Sequence, residues 1–290
     1  LELPELNTLS IEDFNEIHEA FLQLFLLLPE NSLIHRQDIF LTQEFDSDSI
    51  FNNDNFFEES LYNHYSKRKY REQTSLLYIT FLNGFGFKRK LSKLNYFKKF
   101  TDGNSFAEKI KDYANKVDKS IAVLEDFIKI KKLSEEDIIK LIDKHLNGYE
   151  LNKVSSPIFK PDFKIGNKYF ALYGLDQDLN QKDGVMSIAK ENKEMSSEMS
   201  SLFQSYMSDL GSNLSYDHII NSFIYYDNQA SIKKELHSNK SKLLGLQFFG
   251  SSNLDVANRL DSFLADVESE NVKIVRSHMN ISLWDHSKKG

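Results

Sequence analysis

The chain has 290 residues, enough for one large domain or two small ones with a substantial core. A net charge of −7 and a pI near 5.7 argue against a general nucleic-acid binder, while leaving room for local basic patches. There is no Cys, which excludes disulfides and thiolate metal sites, and the 23 Phe and 13 Tyr against 1 Trp point to a core built on phenyl rings.

The first residues, Leu1-Glu2-Leu3-Pro4, carry neither a Met nor a basic n-region. They read as the end of a strand in a fragment cut from a longer protein. Ser10 followed by Glu12 and Asp13 then forms a helix start, with Ile11, Phe14, Ile17, Phe21, Leu24, Phe25 and Leu28 on one face until Pro29. Phe21 to Leu28 is the most apolar run, yet it contains Gln23 and falls far short of the ~20 residues of a spanning helix.

Residues 33–45 read as the first full strand, and His35, Arg36, Gln37 and Asp38 in its first half place that part at a sheet edge or end. Glu44 to Glu59 is acidic throughout, and Phe56, Phe57, Leu61 and Tyr65 have helical spacing. Residues 73–83 form the next strand, apolar on both faces from Leu76 to Leu82 as a central strand would be, and closed by Gly84 and Gly86. Between Glu72 and Asp102 there is no acid. Lys88, Arg89, Lys90, Lys93, Lys98 and Lys99 alternate there with Phe87, Tyr96 and Phe97.

Ser105 to Phe127 reads as a helix striped by Phe106, Ile110, Tyr113, Val117, Ile121 and Leu124. Ser134-Glu135-Glu136-Asp137 is a capping-box-like start for another, ending at Leu146 before Gly148. Residues 163–174 follow as a strand. Asp176 to Ser215 is polar, with Met195, Met199, Leu202, Phe203 and Tyr206 spaced as a short amphipathic helix. Beyond it come a strand over 218–227, helices over Gln229–Phe248 and Leu254–Ser269, and a strand over 272–284. The expected fold is α+β, with largely antiparallel sheet and packed helices. It divides into a subdomain over 1–175, a connector over 176–215 and a β-α-α-β subdomain over 216–290.

No motif carries catalysis. A phosphate-cradling Gly-x-x-x-x-Gly-Lys-Ser/Thr loop is missing, and Gly84-Phe85-Gly86-Phe87-Lys88 lacks its length and hydroxyl. The His residues (18, 35, 64, 145, 218, 237, 278 and 286) include no His-x-x-x-His pair, so no metal site is assigned. Pro161-Asp162 starts like a nuclease motif, without the Glu-x-Lys that would complete it, and there is no nucleophile elbow. These residues assign no catalytic, cofactor-binding or metal-binding side chain. The basic run from Lys88 to Lys99 is the candidate interaction patch, suited to phosphates, anionic headgroups or an acidic partner. The competing reading is a solvated connector balanced by the Glu44–Glu59 segment.

Six stretches together resemble a known family. They are Leu1-Glu-Leu-Pro-Glu-Leu6 with Ile17-His18; Ile34-His-Arg-Gln-Asp-Ile-Phe40; Ser60-Leu-Tyr-Asn-His-Tyr65 before Leu76-Leu-Tyr-Ile-Thr80; Leu133-Ser-Glu-Glu-Asp-Ile138; His218-Ile-Ile-Asn221 with Ile224-Tyr-Tyr-Asp227; and Val275-Arg-Ser-His-Met-Asn280 with Leu283-Trp284. Their order and spacing are similar to the N-terminal region of the Bacteroidetes-type TraG proteins, conjugation-system ATPases of the type IV secretion class. The likeness runs over nearly the whole chain and is weakest across Asp176 to Ser215.

The resemblance implies a non-catalytic region that docks the motor to the membrane-embedded secretion machinery or to its own neighbours, at the cytoplasmic face of the inner membrane. ATP and Mg²⁺ would belong to a P-loop domain following this region, whose catalytic residues have no counterpart here. The alternative is a free-standing enzyme or nucleic-acid-binding protein whose active residues converge only in three dimensions.

Overall fold

The computed structural model describes residues 1–4, 11–45, 55–66, 68–82, 103–149, 158, 162–174, 214–269 and 272–287. In chain order the elements are β1 (Glu2–Leu3), α1 (Ile11–Leu27), β2 (Ser32–Glu44), α2 (Phe56–Tyr65), β3 (Lys69–Phe81), α3 (Gly103–Glu125), α4 (Glu135–Leu146), β4 (Lys164–Ile165), β5 (Lys168–Gly174), β6 (Asp217–Tyr226), α5 (Gln229–Gly245), a 3₁₀ turn (Gln247–Phe249), α6 (Ser251–Ser269) and β7 (Arg276–Asp285). The strands form one seven-stranded sheet in the order β1-β3-β2-β6-β7-β5-β4, and every neighbouring pair is antiparallel. The α+β reading holds, including the C-terminal β6-α5-α6-β7 unit.

Period-two alternation divides β2 between the two faces of this sheet. Ile34 points to the first face with Leu77 of β3, against Ile17, Ala20, Phe21, Leu24 and Leu28 of the α1 segment and Ile121 and Leu124 of α3. Each large aliphatic or phenyl group buried there contributes ~1.5–3 kcal/mol. The α1 helix opens on Glu12 and Asp13, which suit its positive end, and stops before Pro29. Asn31, at φ 64°, then turns the chain into β2.

The second face carries Ile39, Leu76, Ile219 and Trp284, packed by Leu133 and by Leu141 of α4. Ser134 caps α4 by accepting from the Asp137 amide at 3.2 Å, and the Asp137 carboxylate accepts from the Ser134 amide at 3.1 Å.

β2 is not the edge strand that its polar residues suggest. It lies between β3 and β6 and is paired on both sides from Ser32 to Phe40. The polarity is tolerated in part because the side chains pair with one another. The Arg36 guanidinium donates to the Asp38 carboxylate at 3.0 Å, and the Ser75 hydroxyl donates to the same oxygen at 2.6 Å, all three residues being buried.

The 163–174 segment is a hairpin rather than one strand. Ile165 pairs with Lys168 across Gly166-Asn167, and Gly166 has the φ of 60° that such a turn needs. β3 extends N-terminally to Lys69, and α5 gives way to the 3₁₀ turn at Gln247 instead of running to Phe248.

Candidate functional site

Four strands bring a polar and aromatic band to the middle of the second sheet face. Registration of β3, β2, β6 and β7 places Tyr78, His35, Phe223 and His278 in one cross-strand row. The His35 ring stacks between Tyr78 and Phe223, with centroids 5.0 and 4.3 Å away, and Phe223 stacks next to His278 at 6.2 Å. The adjacent row contains Leu76, Gln37, Asn221 and Asn280.

Hydrogen bonds tie the two rows together. Asn221 Oδ1 accepts from His35 Nε2 and from Gln37 Nε2, each at 2.9 Å, and Asn221 Nδ2 donates to Asn280 Oδ1 at 2.9 Å. The Tyr78 hydroxyl donates to Gln37 Oε1 at 3.3 Å. Since Asn221 Oδ1 can only accept, His35 carries its proton on Nε2. Burial pushes the His35 imidazole below its ordinary pKa, and nearby His145 adds to this, while the Asn221 contact opposes it. Burial likewise raises the Tyr78 phenol.

One end of the band is closed by the loop after α4. Gly148 and Tyr149 both have φ near 60°, a conformation that costs a non-glycine residue ~1–2 kcal/mol. It lays the Tyr149 ring flat on Trp284, which Phe170 flanks on a further side. His145 Nδ1 donates to the Leu141 carbonyl at 2.9 Å, so its Nε2 accepts from the Tyr149 hydroxyl at 2.8 Å. Burial raises the Tyr149 phenol far above its usual pKa, so it stays a neutral donor.

These bonds form two sets, a circuit centred on Asn221 that joins Tyr78, Gln37, His35 and Asn280, and a separate chain from Tyr149 through His145 to the Leu141 carbonyl. Among the described residues no group of three or more His, Asp or Glu is placed to hold a metal ion. No helix among them is long and apolar enough to cross a membrane.

Among the described residues the outward surface is apolar in several places. α4 has no buried residue, and Ile138, Ile139, Ile142 and Leu146 form an exposed stripe beside Leu141, with Ile139 at 53% and Leu146 at 68% exposure. α2 presents exposed Phe56 and Phe57. The 3₁₀ turn between α5 and α6 presents Phe248 and Phe249 at 88% and 85% exposure. A cavity of about 330 Å³ lies beside the β5 and β7 ends, with Phe163, Tyr169, Tyr173, Tyr216, Asp162 and Asp285 in its wall.

The sequence-derived patch of Lys88, Arg89, Lys90, Lys93, Lys98 and Lys99 lies outside the described residues, as do Asp46, Asp48 and Asp54 of the acidic segment. Glu58 and Glu59 of that segment fall in the first turn of α2, where Asn55 caps the helix. Sequence reasoning met Gln37, Asn221 and Asn280 only inside longer stretches and gave them no place in a site. The signal for them was there: His35 and Gln37, Asn221 and Phe223, and His278 and Asn280 each share one phase of an alternating strand. No protein-family model matches the chain, and no curated protein matches it.

Proposed function

We propose that this chain is a non-catalytic assembly and docking region of a conjugative-transfer motor of the type IV secretion class, coupling an ATPase to a membrane channel complex. The observation that supports docking is the α4 stripe. Four large aliphatic side chains face solvent on a helix that is itself held to the sheet by Leu141 and the Tyr149–Trp284 stack. Apolar surface displayed on a pre-positioned helix suits a protein partner, because little further ordering is needed on binding.

The motor assignment is supported by the TraG-like stretches, two of which, Ile34–Phe40 and His218–Asn221, supply the central strands β2 and β6. ATP and Mg²⁺ belong in this reading to a separate domain. Attachment at the inner face of a membrane would draw on Lys88, Arg89, Lys90, Lys93, Lys98 and Lys99, each worth about 1 kcal/mol near an anionic leaflet.

The coding sequence downstream of Gly290 tests the parentage. The reading predicts that the open frame continues into a Gly-x-x-x-x-Gly-Lys-Ser/Thr loop. A stop codon with no such loop in frame contradicts it.

A further inference from the structure

The α5–α6 hairpin leaves the sheet where β6 ends and β7 begins, at Tyr226 and Arg276. Its base is fixed there. Gln229 Nε2 donates to the Ile274 carbonyl at 2.9 Å, the Ile274 amide donates back to Gln229 Oε1 at 2.8 Å, and Arg276 pairs with Glu235 at 3.2 Å. Ile232, Val267 and Ile274 close a small core between the helices, which pack on each other rather than on the strands.

From Leu243 to Leu254 no residue is charged. This run holds the outward Phe248 and Phe249, with exposed Leu246 and Leu254 beside them, and Lys242 immediately precedes it. Among the described residues none covers this projecting pair of phenyl rings, and such an exposed apolar pair suits a concave partner.

The molecule carries a concave surface of matching chemistry at the opposite end of the same strands. The cavity beside β5 and β7 is walled by Phe163, Tyr169, Tyr173 and Tyr216, with Asp162 and Asp285 supplying negative charge. At about 330 Å³ it sits at the lower end of the ~300–1,000 Å³ of pockets that take up small aromatic groups. Its surroundings are also short of cover, since Leu172 and Tyr173 on β5 are exposed. The base of the hairpin and the cavity lie at opposite ends of the β6–β7 pair, about 30 Å apart along ten-residue strands, and the tip is carried beyond that base by the 17 residues of α5.

We infer that the Phe248–Phe249 tip of one copy of this chain inserts into the β5–β7 cavity of a second copy, with Lys242 facing Asp162 and Asp285. The contact is head-to-tail, so each copy offers one tip and one cavity, and assembly extends beyond a dimer into a ring or a filament. This deepens the assembly reading by naming a second copy as a partner, and it rests on that reading.

Sedimentation velocity on the 290-residue chain over roughly 1–100 µM tests it. The expected result is growth with concentration past the dimer, with self-affinity lowered at least about tenfold by Phe248→Ser with Phe249→Ser, and by Ala171→Trp, which fills the cavity. Tyr173→Glu is a second cavity variant should Ala171→Trp unfold. Mixing the tip variant with a cavity variant restores a 1:1 pair that does not extend. A wild-type chain monomeric throughout, association that survives the Phe replacements, or a mixture that stays monomeric overturns the inference. Loss by the tip variant of binding to phosphatidylcholine vesicles, with the wild type monomeric, assigns the tip to lipid and also overturns it. The continuation of the reading frame is unaffected by any of these results, so the parentage of the chain stands or falls separately.

Discussion

Tyr149 lies flat on Trp284, with ring centroids 5.3 Å apart and planes 6° from parallel. The stack joins the loop after α4 to β7, 135 residues further along the chain, and fixes the position of the α4 stripe. It depends on the left-handed backbone at Gly148 and Tyr149.

Gly148→Ala tests that dependence. A Cβ there would come within 2.9 Å of Ile165 Cγ2 and 3.3 Å of Phe170 Cζ, at a φ of +60°. The variant is expected to lose about 1–3 kcal/mol of stability in urea unfolding. An unchanged midpoint would show that the loop relaxes freely.

Asn221 is the shared acceptor of the sheet-face circuit. Asn221→Ala leaves the Gln37 amide, in a residue only 7% exposed, and the His35 ring without their common acceptor. The expected loss is about 1–3 kcal/mol, and Asn221→Asp, which keeps the acceptor, recovers part of it. Equal stability of Asn221→Ala and wild type would mean that the circuit adds nothing.

Much of this architecture was legible in the sequence. The Ser134–Asp137 cap, the stop at Pro29 and the order of β6, α5, α6 and β7 rest on neighbouring residues, whose spacing is local. The interior place of β2 was not legible. Arg36 and Asp38 are normally exposed residue types, and the Ser75 that completes their group stands 37 positions away from Asp38. The same distance hid the His35–Asn221 bond, which spans 186 positions. The split of residues 163–174 was readable, because Gly166-Asn167 is a two-residue hairpin signal inside an apolar run.

His35 gives stability a pH dependence. Its folded-state pKa is lowered, chiefly by burial, so the unfolded chain binds more protons between the two values. That contribution is fully present above the unfolded imidazole value of ~6.5 and is lost as pH falls below it towards the lowered folded value. Unfolding midpoints at about pH 7.5 and about pH 5.5 should therefore differ more for wild type than for His35→Phe, which keeps the stacking without the titration. Equal differences would remove His35 as a cause.

Under the proposed assembly role, nucleotide chemistry belongs to a separate domain. Calorimetric titration of the purified chain with ATP and Mg²⁺ is expected to give no binding heat, since no run in the sequence matches a phosphate-cradling loop. Micromolar, Mg²⁺-dependent binding would contradict this division of labour.

The docking claim is tested most directly by mating frequency in donor cells whose copy of the gene carries Ile139→Glu and Ile142→Glu. Both side chains are exposed, so each replacement should change stability by no more than about 0.5 kcal/mol. The account predicts DNA transfer reduced at least about tenfold at an unchanged protein level, because the charges fall in the middle of the apolar surface that meets the partner. Transfer at the wild-type frequency would contradict it.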